Sequence, residues 1–120
     1  MLKLAKNYSL IYQRLKIKPQ DLIRFCQENL ISELAVFGSI LRDDFNPQSD
    51  IDFLVTYSPL ATRSLLEKII LKEKLEKMCG RAACLWHRPV DLVSKKAIEN
   101  SSNWLKKQEI LNSAEVIYCE

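Results

Sequence analysis

Glycine is scarce in this chain: Gly38 and Gly80 are the only two in 120 residues. Each therefore marks a place where the backbone needs a freedom that other residues lack. Histidine is scarcer still, and the lone His87 makes a poor basis for acid–base catalysis. Long apolar runs are also missing. Lys3, Lys6, Arg14, Lys16 and Lys18 interrupt the first eighteen residues, which argues against a signal peptide or a membrane span and predicts a cytoplasmic protein. The four cysteines, Cys26, Cys79, Cys84 and Cys119, are irregularly spaced, and without a secretory signal they read as reduced thiols. Cys79, Cys84 and His87 lack C-x-x-C spacing and a nearby fourth ligand, which argues against zinc. A net charge of +3 with 28% charged residues is an ordinary surface without the basic excess of a dedicated nucleic-acid binder. No repeat or low-complexity tract is present.

What the chain does contain is enough apolar material, 48% of its residues, to bury a single core. One domain over 1–120 is expected, with an N-terminal extension at 1–18 and a core at 19–120. Pro19 suits a first helical turn, and Leu22, Ile23, Phe25, Cys26 and Leu30 follow at helical spacing, predicting a helix over about 19–31. A shorter helix is expected before it, around Leu10 to Ile17. Leu34 to Phe37 and Ile51 to Tyr57 read as strands. Between Pro59 and Gly80 an amphipathic helix is expected, with Leu65, Leu66, Ile69, Ile70, Leu75 and Met78 on its apolar face. A strand over Cys84 to Ser94, a lysine-rich turn at Lys95 and Lys96, a helix over Trp104 to Leu111 and a strand over Ala114 to Cys119 complete the pattern. Trp86 and Trp104 are expected in the core or at an interface. Strands interleaved with helices predict an α/β (α+β) domain, a small mixed sheet with helices packed on one face.

The chemistry concentrates in GSILRDDFNPQSDIDF, residues 38–53, which holds Gly38 and four aspartates. Side chains alternate along a strand, so Asp50 and Asp52 project together while Ile51 and Phe53 point the other way. Two neighbouring carboxylates raise one another's pKa and oppose folding unless a cation compensates. A hard divalent ion such as Mg²⁺ accepts oxygen ligands of this kind and also seeks phosphate oxygens. Gly38-Ser39 follows the first strand at a sharp turn, where glycine permits close approach to a ligand and the Ser39 hydroxyl adds a donor. Asp91 interrupts the apolar run Val90-Asp91-Leu92-Val93. If that strand lies beside Ile51–Tyr57, it adds a third carboxylate of the kind that two-metal phosphoryl transfer uses, placed to take a proton from an attacking hydroxyl.

Gly38-Ser39, ten intervening residues and Asp50-Ile51-Asp52 resemble the signature of the polymerase-β-like nucleotidyltransferase superfamily. Arg42, the VDLVSKKAI stretch and the shortness of the chain resemble its minimal (MNT-type) branch, the antitoxins that accompany HEPN ribonuclease toxins. The resemblance runs from about residue 19 to the end. It implies a Mg²⁺-dependent transfer of AMP from ATP to a hydroxyl, typically a tyrosine, of the toxin partner, with no membrane and no direct nucleic-acid binding. Carried onto this sequence, it implies that Asp50 and Asp52 hold the two Mg²⁺ ions with Asp91, that Asp91 assists the nucleophile, that Gly38 and Ser39 bind the β and γ phosphates, and that Arg42 supports the triphosphate.

Blander readings stand beside these. Asp50 and Asp52 would also suit a solvated strand end, Asp91 an edge residue facing water, and Arg42 a surface pair with Asp43 or Asp44. Two other functions fit the same motif: an antitoxin that neutralises its toxin by contact alone, and a transferase acting on a small molecule. The second usually carries an acceptor domain for which this chain leaves no residues.

Overall fold

The structure, a computed structural model, describes residues 8–46, 49–59, 65–80 and 90–119. Cys84, Trp86, His87 and the first part of the strand expected over Cys84 to Ser94 lie outside the described residues. Helix α1 (Tyr8–Leu15) and helix α2 (Pro19–Glu28) lead into strand β1 (Ile31–Phe37), a 3₁₀ turn (Gly38–Leu41) and strand β2 (Ile51–Tyr57). Helix α3 (Leu65–Gly80) then crosses to strand β3 (Val90–Ser94), followed by α4 (Lys95–Glu99), α5 (Trp104–Ser113) and β4 (Glu115–Cys119).

With glycine so rare, helices end on other residues: Lys16 after α1 (φ 59°) and Leu30 after α2 (φ 55°) take the left-handed conformation usually left to glycine. Each costs about 1 kcal/mol in local strain. At the second stop Asn29 Nδ2 donates to the Phe25 carbonyl at 2.8 Å, and the Ser58 N–H donates to the Leu30 carbonyl at 2.8 Å. These bonds satisfy groups left open by the helix end and fix the entry into β1.

The four strands form one mixed sheet in the order β3-β2-β1-β4. β1 runs antiparallel to β2 and to β4, whereas β2 and β3 are parallel. A parallel pair requires a crossover, and α3 supplies it. Alternation sorts the strand side chains: Leu34, Val36, Ile51, Phe53, Val55, Val90 and Ile117 enter a large core with Ile11, Leu15, Leu22 and Phe25 of α1 and α2 and Leu71 and Leu75 of α3. The main helical cover thus lies on one face, as expected. A smaller layer covers the other, where Ala35 and Leu54 meet Ile110 of α5, with Ile98 of α4 and Leu111 packed beside them. The lysine-rich segment is a short helix rather than a turn, and Lys95 pairs with Glu33 at 3.6 Å.

The apolar face of α3 differs from expectation. Leu71 and Leu75 are buried and Met78 packs against them, whereas Leu66, Ile69 and Ile70 are exposed. Two apolar stripes occupy nearly opposite sides of this helix, and periodicity cannot rank them; the crossover geometry selects the one at 71, 75 and 78. Trp104 is likewise 64% exposed because it opens α5, whose inward side begins at Ile110. Removing the Leu75 side chain leaves a cavity in a fully closed site, so Leu75→Ala should cost about 2–4 kcal/mol in urea unfolding. Ile70→Ala, by contrast, should stay within about 0.5 kcal/mol.

Candidate active site

The site forms where β1 ends, opposite the start of β2. Phe37, the last residue of β1, is paired with Asp52, so the next residue, Gly38, lies directly against the Asp52 carboxylate. Gly38 has φ +81°, and a Cβ built on it would collide with Asp52 Oδ2. Conformation and space both require glycine here. The Ser39 hydroxyl donates to the Asp50 backbone carbonyl at 3.2 Å, tying the two ends of the motif together. Asn46 and Ser49 close the intervening turn: the Asn46 N–H donates to Ser49 Oγ at 3.0 Å and the Ser49 N–H to the Asn46 carbonyl at 2.9 Å.

Parallel pairing sets Asp91 of β3 beside Asp52 of β2, on the sheet face away from the large core. The start of β3 is held by α3, since the Val90 N–H donates to Glu76 Oε2 at 3.4 Å. Asp50 sits one residue before β2. Asp91 and Asp50 thus lie within electrostatic reach of Asp52. The Asp52 carboxyl is pushed above the ordinary aspartate range by burial first, then by the charges of Asp91 and Asp50, while Arg42 pulls it back. Asp50 and Asp91 are exposed, so the blander reading of each as a water-facing residue holds for its surroundings, although not for its isolation. The same is true of Arg42: its Nε pairs with Asp44 Oδ1 at 3.3 Å on the surface, a contact worth little by itself, yet its charge reaches Asp52.

A cleft of about 750 Å³ opens over Asp50, Asp52 and Arg42, and Asp91 is not part of its lining. One wall is Gly38, Ser39, Leu41, Arg42, Asp50 and Asp52; the opposite wall is Lys106, Glu109, Ile110 and Ser113 of α5 with Glu115 of β4. The second wall escaped sequence reasoning because polar residues on a short helix look like a solvated face. Only the i, i+3, i+7 spacing of Lys106, Glu109 and Ser113 hinted at a common side. The N-terminus of α5 is fixed by Asn103, whose Oδ1 accepts from the Lys106 N–H at 3.2 Å. Among the described residues no three His, Cys, Asp or Glu side chains are grouped so that they could hold a metal ion. The donors that Asp50 and Asp52 offer are carboxylate oxygens, the ligand type a hard divalent ion accepts.

Comparison with known proteins matches residues 20–117 to the nucleotidyltransferase domain. The chain belongs to that family. Protein adenylyltransferase MntA of Thermococcus cleftensis is 36% identical over 70 residues, which are 58% of this chain and 62% of that protein. The match thus spans less than two thirds of the curated relative's length. Among solved structures, a toxin–antitoxin crystal structure with AMP-PNP superposes at a TM-score of 0.61, with 20% identity over 87% of this chain and 75% of that one. The tri-AMPylated Shewanella oneidensis HEPN toxin in complex with MNT antitoxin gives a TM-score of 0.54, with 20% identity over 85% of this chain and 70% of that one. At these identities the likeness is one of fold, and the four-stranded mixed sheet of this nucleotidyltransferase domain shares it.

The raised Asp52 pKa has a thermodynamic sign. A carboxyl whose folded pKa lies above its unfolded value contributes stability that is present at acid pH and lost as pH rises through the folded pKa. Without metal, wild type should therefore lose stability just above the usual carboxylate range, and Asp52→Asn should melt about 2–4 °C higher than wild type at neutral pH. The difference should close on acidification. Thermal melts across pH, in chelator, measure it directly. Gly38→Ala should fall on the other side, destabilised by about 1–2 kcal/mol or more from the left-handed backbone alone.

Proposed function

We propose that this chain transfers AMP from ATP, with Mg²⁺, to a hydroxyl of a HEPN-family ribonuclease and thereby silences it. The observation that carries this reading is the pairing of Asp52 with Asp91 on one sheet face, beside the Gly38 turn and the Asp50 entry to β2. Asp50 and Asp52, with Asp91, are the residues that would hold magnesium, two ions in the reading the motif supports. When bound, the metal neutralises phosphate charge and stabilises the negative charge that develops during transfer.

The chain's own groups then have separable tasks. Asp91, exposed at the sheet edge, accepts the proton of the incoming hydroxyl, a tyrosine in the reading that the sequence resemblance supports. The acceptor oxygen forms its bond to the α-phosphorus, the bond from that phosphorus to the β-bridging oxygen breaks, and pyrophosphate leaves with the electron pair. Gly38 lets the backbone come close to the β and γ phosphates, and the Ser39 side chain ties that turn to Asp50. Arg42 supports the triphosphate by charge. The names of the relatives agree with this chemistry: the Thermococcus protein is called a protein adenylyltransferase, and the fold neighbours include an AMP-PNP complex and a tri-AMPylated HEPN toxin bound to its MNT antitoxin. Use of ATP also suits the cytoplasmic setting predicted for the chain. No helix among the described residues is long and apolar enough to cross a membrane.

The test mixes the protein with its neighbouring toxin, ATP and Mg²⁺ and reads intact mass. One or more added AMP groups are expected on the toxin. Loss of a ligand carboxylate removes several kcal/mol of transition-state stabilisation, so Asp52→Asn should slow transfer by about 10³-fold. No added mass with wild type would sink the proposal. Full neutralisation of toxicity by Asp52→Asn at equal expression would replace transfer with masking by contact.

A further inference from the structure

The turn that faces the nucleotide cleft is held from behind by a residue outside the family match. Arg14 lies on α1, before residue 20, where the domain match begins. Its Nη1 donates to the Ile40 carbonyl at 2.7 Å and to the Arg42 carbonyl at 2.6 Å, and its guanidinium lies 5.4 Å from the centre of the Phe45 ring. The contacts bridge 26 and 28 residues of sequence. Ile11 and Leu15 of the same helix are buried in the large core together with Ile40. The cleft opens on the opposite side, where Ile110 of α5 joins the second cluster.

We propose that Arg14 is the positioning residue of the phosphate-binding turn, and that α1 is a working part of the nucleotide site. The proposal rests on the reading of the cleft as a nucleotide site. The turn has an inherent difficulty: it begins in a left-handed glycine, carries the charged sequence Arg42-Asp43-Asp44, and must keep its shape where the Asp52 carboxylate occupies the space a side chain at position 38 would need. Within the turn itself, Arg42 N–H to Ser39 carbonyl at 2.9 Å closes one bond. The carbonyls of Ile40 and Arg42 point toward α1, where one guanidinium nitrogen accepts the role of common donor to both. Such charge-assisted bonds are roughly twice as strong as neutral ones, and the Phe45 ring limits the swing of the guanidinium. With the two carbonyls pinned, Gly38, Ser39 and Arg42 are presented to the cleft in one arrangement. Without the pin, each nucleotide that binds must order the turn itself, and that cost appears as weaker affinity.

Binding of Mg-ATP to the full chain, measured by calorimetry beside a melt without nucleotide, tests this. Losing charge-assisted bonds to both carbonyls should weaken Mg-ATP binding by Arg14→Gln about tenfold, and it should also lower the nucleotide-free melting temperature by several degrees. Arg14→Lys, whose ammonium can still donate to both carbonyls, should recover most of the affinity, whereas Arg14→Met, which keeps the apolar stem without a donor, should not. Phe45→Leu, which keeps Arg14 and frees its motion, should weaken binding by about two- to fourfold; it carries the test if Arg14→Gln does not fold. Wild-type affinity in Arg14→Gln, or in Phe45→Leu where that variant stands in, overturns the proposal. So does a loss that Arg14→Lys fails to relieve. Failure of wild type to bind Mg-ATP at all would instead remove the nucleotide reading of the cleft on which the proposal rests.

Discussion

The constraint on which the structure depends is the confrontation of like charges at one end of the sheet. Asp52 is half-buried against Gly38, in register with Asp91, and within the field of Asp50. In isolation this arrangement opposes folding, because burial and neighbouring negative charges both disfavour the ionised form. The fold tolerates it by placing hydrophobic burial immediately behind: Ile51 and Phe53, the residues on either side of Asp52, are fully buried in the large core. Their burial holds the strand in place regardless of what the carboxylates gain or lose. Stability is thus supplied on one face of β2 and spent on the other, the pattern expected where a site is strained for a purpose.

Seen from this pair, the remaining elements have distinct tasks. α3 does not touch the cleft, but it delivers β3 and, through Glu76, fixes the N–H of Val90 immediately before Asp91. α5 contributes little to the core beyond Ile110 and Leu111, yet it builds the far wall of the cleft. α1 meets the turn from the other face. The smallness of the domain is therefore compatible with a site that has a floor, two walls and a brace, since nearly every element supports it from a different direction.

Much of this was legible in the sequence. The limits of β2 are legible because Ile51–Tyr57 is bounded by turn residues and rich in branched and aromatic side chains, and its alternation places Asp52 away from the core. The nearness of Asp91 could be expected only on condition that its strand was a neighbour, since strand order is a long-range property that local pattern does not carry. The buried face of α3 is not legible for a related reason: Leu66, Ile69 and Ile70 are as apolar as Leu71, Leu75 and Met78, and only the partner surface chooses between them. Arg14 gave no local signal, because its partners are backbone carbonyls and these have no sequence identity. The α5 wall was hidden among ordinary charged residues.

The parallel pairing of β2 with β3 makes the meeting of Asp52 and Asp91 hostage to topology. Asp52 and Asp91 are 39 positions apart in sequence, and they meet only after the crossover helix has docked and the strands have settled in one alignment. A slip of a single residue would turn Asp91 to the opposite side of the sheet and drive Leu92 toward water. Any newly made chain therefore lacks this juxtaposition of carboxylates until the strand that follows the crossover helix has been made and has docked.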